Sequence, residues 1–175
     1  MLHYRNLYKL SFIPHLLGGY TGYQSYMDYR MSQMDKYMKE SNILLNQLNE
    51  LNNETNKRIL SGGISKEEHL KAADRMINMA EEVRNSTKKA YEYANDPYKG
   101  LLALRIKMYN LFIEIKRQER EGAEYYYQGA YEAATRTYAI RDKQYEKYKK
   151  LESKYETMKD LNPEVREHTE KYWKP

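Results

Sequence analysis

The chain contains no cysteine, which excludes disulfides, thiolate–zinc sites and thiol catalysis together. Proline occurs 4 times and glycine 8 times in 175 residues, so little stands in the way of long helices. Phenylalanine occurs twice and tryptophan once. A compact core normally leans on Leu, Ile, Val and Phe, so other side chains must supply apolar area here. Acidic residues are missing from the start: Asp28 is the first, while Arg5 and Lys9 precede it. A basic, aromatic and hydroxyl-bearing segment without acids has the character of a mitochondrial import segment.

What is abundant is tyrosine, 20 residues, and methionine, 9 residues. Tyrosine buries a large ring but needs a partner for its hydroxyl. Methionine fills irregular gaps. That palette suits thin helix–helix seams and subunit interfaces better than a thick core. Charged residues make up 31% of the chain, and the mean hydropathy is −1.02. Opposite charges are interleaved and the net charge is only +5, the pattern of solvated helix faces.

The expected class is all-α: a short membrane-compatible N-terminal segment, then long helices forming an extended bundle or coiled coil. Residues 1–29 form the first unit and 30–175 the helical domain. From Leu10 through Met27 no residue carries a formal charge if His15 is neutral. That is about the length needed to cross a bilayer. Ser11, Pro14, His15, Thr21 and Gln24 interrupt its apolarity, so a Gly-rich aromatic loop packed on a partner is the other reading. Gly18 and Gly22 have the spacing that lets membrane helices approach closely, with Gly19 beside them. Tyr20 and Tyr23 follow, and tyrosines favour the headgroup level.

Helices are expected at about 24–60, 66–94, 97–128, 131–160 and 163–172. Met27, Met31, Met34 and Met38 share one helical face. Ser61-Gly62-Gly63 stops that helix, and Ser65-Lys66-Glu67-Glu68 reads as a capping box for the next. Leu70, Ala73, Ile77, Ala80, Thr87, Ala90 and Ala94 then line one side. Asp96 is expected to cap a third helix with Pro97 as its first residue. That helix, with Leu101, Leu104, Met108, Leu111 and Ile115, is the most apolar and is placed at the centre. Tyr138, Tyr145, Tyr148, Tyr155 and Met158 repeat along the fourth. Asn162-Pro163 starts the last, and Trp173 is expected to dock on a partner or on the bundle.

Gly122, Tyr125, Gly129, Tyr131, Ala134 and Tyr138 resemble, in order and spacing, the small and aromatic positions of one tetratricopeptide repeat. The resemblance spans Gly122 to Arg141, and Arg141 stands where the pattern wants a small residue. Gln118 and Glu121 replace its usual Trp and Leu, and no second copy follows. It implies a helix–turn–helix with its turn near Gly129 and no peptide-binding array. A single helix running through Gly129 is the alternative.

Catalytic patterns are lacking. His3, His15, His69 and His168 form no metal-ligand spacing, and there is no phosphate loop or nucleophile elbow. No catalytic, cofactor-binding or metal-ligating residue is expected, and the chain is read as a non-enzyme. The Lys- and Tyr-rich stretch Lys143 to Lys159 could contact single-stranded RNA, but Glu146, Glu152 and Glu156 dilute its charge. In general character the chain resembles supernumerary accessory subunits of mitochondrial inner-membrane complexes, either respiratory chain or ATP synthase. The resemblance rests on the first 30 residues. It implies a structural subunit with other protein subunits as partners and lipid at the N-terminus. Gly18, Gly19, Gly22, Tyr20 and Tyr23 would pack in or at the membrane. Met27, Met31, Met34, Met38, Tyr138, Tyr145, Tyr148 and Trp173 would form interfaces. A soluble helical scaffold and a peripheral mitochondrial ribosomal protein are the competing expectations.

Overall fold

A computed structural model describes residues 13–175, with side chains from Tyr20 onward. The import character of Arg5 and Lys9, and the start of the uncharged stretch at Leu10, lie outside the described residues. Among those described there are five helices and no strand: α1 (Ile13–Leu60), α2 (Lys66–Tyr93), α3 (Tyr98–Tyr127), α4 (Tyr131–Asp160) and α5 (Pro163–Tyr172).

α1 starts well before the expected residue 24 and runs unbroken for 48 residues, about 72 Å at 1.5 Å per residue. Pro14 falls in its first turn, where a missing N–H removes no helical bond. Gly18, Gly19 and Gly22 each weaken the helix by about 1 kcal/mol without breaking it. Among the described residues no helix is long and apolar enough to cross a membrane, and the first residues of the span expected over 10–27 lie outside them.

Each turn has a local cause. Gly62 takes φ +68°, open to glycine at no steric cost, and α1 ends there. The N–H of Gly63 closes the end on the Arg58 carbonyl at 2.9 Å. Ser65 then caps α2: its hydroxyl accepts from the Glu68 N–H, and the Glu68 carboxylate accepts from the Ser65 N–H at 2.9 Å. Arg58 joins Glu68 at 2.8 Å, tying the two helices. The Arg58 hydrogen bond, then those from Ser65, hold the Glu68 carboxyl down at about 2. A depressed carboxyl stabilises above its ordinary pKa of 4.5 and loses that contribution as pH falls towards 2. The protection factors of the Ser65 and Glu68 amides, corrected for intrinsic exchange, should therefore hold from neutrality to about pH 5 and fall below it. Ser65→Ala should remove the protection at every pH.

α3 begins one residue later than the sequence suggests. Pro97, not Asp96, holds the capping position, and no side chain caps the helix. At the far end Gly129 takes φ +77° and the Ala130 N–H reaches back to the Tyr125 carbonyl at 2.9 Å. The chain turns there, so α3 and α4 are separate helices.

Successive helices pack as antiparallel hairpins: α1 on α2, α2 on α3 and α3 on α4. Alanines 73, 80 and 90 are buried along α2 and Ala94 just past its end, and their small side chains let it sit close to its neighbours. One core cluster joins Met34, Met38, Leu101, Leu102, Met108, Tyr155, Val165 and Trp173. A second joins Leu48, Met76, Ala80 and Ile113. Between them Ser41 and Thr87 are fully buried but satisfied: Thr87 donates to the Val83 carbonyl at 2.9 Å and accepts from the Ser41 hydroxyl at 2.9 Å. α5 folds back from α4 to lie against α1.

Candidate functional site

Two features stand out from the helical frame: an arm and a polar cleft. The arm is the first part of α1. Packing against α2 starts at Met27, whose sulfur meets the Asn95 amide at 3.6 Å. It is secured at Arg30, whose guanidinium donates to the Tyr93 carbonyl at 3.0 Å and the Glu92 carbonyl at 3.1 Å. These are end-of-helix carbonyls with no helical partner, which a cation satisfies well. Before Met27, residues 20–26 are all exposed. From Ile13 to Tyr26 the helix extends about 21 Å beyond that contact. Tyr20 and Tyr23 are 65% and 63% exposed, and a side chain added at Gly22 would meet nothing within 4 Å. Gly18 and Gly19 lie in helical backbone whose side-chain surroundings fall outside the described residues.

The cleft lies where α1, α3, α4 and α5 converge. α5 is latched through Asp35, whose Oδ1 receives the Trp173 indole N–H at 2.8 Å and meets His168 Nε2 at 2.8 Å. Tyr98 packs its ring against both His168 and Trp173. Asn42 donates its amide to the Trp173 carbonyl and accepts from Arg105. Arg105 reaches the Tyr109 hydroxyl at 2.8 Å and the Tyr155 hydroxyl at 3.4 Å, and lies over both rings. The cleft beside it measures about 380 Å³. Burial works against the Arg105 cation, but the Tyr109 and Tyr155 hydroxyls more than offset it and hold the pKa above its ordinary value. Burial pushes the Tyr148 and Tyr155 hydroxyls up, so both stay protonated.

The methionine face does not form an open interface. Met34 and Met38 are wholly buried in the core, and Met31 is half-buried against it. The interior takes them because it has few other large apolar groups. Trp173 is likewise buried, 2% exposed, within the chain's own bundle. Tyr148 packs half-buried against the same core, whereas Tyr145 is 46% exposed and stacks on it from outside. Tyr138 is held between Gly122 and Arg141. Sequence reasoning missed Arg105, Asn42 and Tyr109. Only the Arg105–Tyr109 pair, one helical turn apart, left a local signal.

No group of three or more His, Cys, Asp or Glu residues among those described could hold a metal ion. On α4, Lys143, Lys147, Lys150 and Lys154 form an exposed stripe at helical spacing, and none of them is ion-paired among the described residues. No protein-family model, no curated protein and no solved structure matches the chain.

Proposed function

We propose that this protein is a non-catalytic accessory subunit of a large mitochondrial inner-membrane complex, of the respiratory chain or ATP synthase, that braces neighbouring subunits. The observation that carries the proposal is the arm: a helix uncharged from Ile13 to Met27, exposed over residues 20–26, and continuous with the bundle. Exposed tyrosines on a rigid helix supply interface area at little entropic cost. The acid-free segment before the arm supports the mitochondrial address. In this reading the arm lies against a membrane subunit and lipid headgroups, and the hairpins behind it hold it at a fixed angle.

Gly22→Leu separates this role from folding. The added side chain meets no neighbour, and replacing a helical glycine should stabilise the helix by up to about 1 kcal/mol. The variant should melt at or above the wild-type temperature yet fail to co-migrate with the complex on native gels after mild detergent extraction. Unchanged co-migration would refute the docking role of the arm.

The lysine stripe on α4 favours a second reading, a peripheral ribosomal subunit contacting RNA phosphates. Fractionation decides between them. Retention with RNA that is lost as salt rises supports the ribosomal reading. Salt-resistant recovery with a membrane complex supports the first.

A further inference from the structure

Arg105 holds a permanent positive charge in a partly buried setting, and no carboxylate lies within ion-pair distance of it among the described residues. Its guanidinium has five N–H groups. Three go to neutral oxygens: Nε to Tyr109, one Nη to Tyr155, and the other Nη to Asn42. It takes part in no ion pair among the described residues. Its hydroxyl, amide and ring partners hold the cation in place, but none of them carries a formal counter-charge.

The hydrogen-bond inventory points the same way. The Tyr109 and Tyr155 hydroxyls already receive hydrogens from Arg105, so each has its own O–H left to donate. Neither has an acceptor among the described residues, although Tyr109 is 4% and Tyr155 8% exposed. Asn42 commits one amide hydrogen to the Trp173 carbonyl and keeps the other. Tyr148, on the same cleft, makes no hydrogen bond among the described residues. The group around Arg105 is therefore rich in donors and carries a fixed charge, and none of the glutamates lining the cleft accepts from it. Water offers oxygens but no charge.

We propose that this cleft binds a carboxylate carried on an apolar body, with the carboxylate on Arg105 and the Tyr109 and Tyr155 hydroxyls. Two oxygens match the remaining donors of a guanidinium fork. The apolar body would lie along Leu45, Met108 and Trp173, which line the same cleft. Around the mouth three glutamates, Glu152, Glu156 and Glu170, outnumber Lys159 and Lys174, so the rim repels a dianion such as phosphate more strongly than a monoanion. The volume of about 380 Å³ suits a medium-chain acid or one terminal residue of a partner. Both sources present the same chemistry. The proposal is independent of the accessory-subunit reading.

The chain's single tryptophan lines the cleft, so its fluorescence reports binding directly. The full-length chain would be titrated with octanoate, octanol, N-acetyl-phenylalanine, its amide, and inorganic phosphate. Octanoate or N-acetyl-phenylalanine should give a saturable change, while octanol, the amide and phosphate should not. The tighter acid identifies the source as a free acid or a chain terminus. Arg105→Gln should weaken binding about tenfold or more, and Tyr155→Phe, which keeps the ring, about threefold or more. Circular dichroism establishes that each variant is folded, and Tyr155→Phe carries the test if Arg105→Gln is not. Equal binding of acid and neutral analogue, no saturable binding by either acid, or unaltered affinity in a folded variant would overturn the proposal.

Discussion

Trp173→Ala should destabilise the protein by about 3–5 kcal/mol, the range for a large aromatic removed from a packed core. The indole is 2% exposed and packs in the cluster of Met34, Met38, Leu101 and Val165. Removing it opens a cavity that helices fixed by three hairpins cannot easily close. It also takes away the N–H that the Asp35 carboxylate accepts at 2.8 Å, leaving that charge with His168 alone. Trp173→Phe keeps most of the apolar area and loses only the hydrogen bond, so about 1–3 kcal/mol should be lost. Urea unfolding followed by far-ultraviolet circular dichroism measures both, since the fluorophore itself is gone. Amide exchange along α5 distinguishes global loss from release of the latch alone. A destabilisation of Trp173→Ala below about 1 kcal/mol, with α5 still protected, would contradict this account of the core.

Gly122→Val should be the next most damaging substitution, at about 1–3 kcal/mol. A Cβ at Gly122 would stand 2.6 Å from Cε1 and 2.8 Å from Cζ of Tyr138. The ring has little room to yield, because the Arg141 guanidinium lies 4.8 Å from its centre on the same helix. α3 and α4 would have to separate near their turn, or Tyr138 would have to leave its seat. Pairing Gly122→Val with Tyr138→Ala tests the mechanism. If the ring is the obstacle, the double variant should be less destabilised than the sum of the two single ones. Simple additivity would place the strain elsewhere. The contact sets a glycine of α3 directly against an aromatic ring of α4.

Helix punctuation was legible because it is local chemistry. Ser61-Gly62-Gly63, the capping box at Ser65 and the Asn162 cap before Pro163 each act within a few residues. The beginning of α1 was not, because three glycines and a proline read as a separate unit. The proline falls where a helix tolerates it, and no competing structure claims the glycines. Gly129 left two readings open because the apolar and aromatic positions keep helical spacing on both sides of it. Only its positive φ decides. The methionine face was correctly periodic yet wrongly assigned to partners, since sequence period says which residues share a face and not what covers it. The Arg105 cluster was the least legible feature. Its members come from α1, α3 and α4, up to 113 positions apart, as Asn42 and Tyr155 are.

The latch made by α5 gives the folding process a direction. Each hairpin joins neighbours in the chain, and contacts of that kind close early and fast. The bond from Trp173 to Asp35 joins residues 138 positions apart, so loop closure places it late. Until it forms, Asp35 and the pocket beside Met34 and Met38 stand open on α1. A chain that has closed its hairpins but not this last contact would be a distinct species, helical in content and vulnerable to protease at the α4–α5 junction. If the latch closes last, tryptophan fluorescence should change after helical circular dichroism has reached its final value; coincident traces would show that it closes with the hairpins.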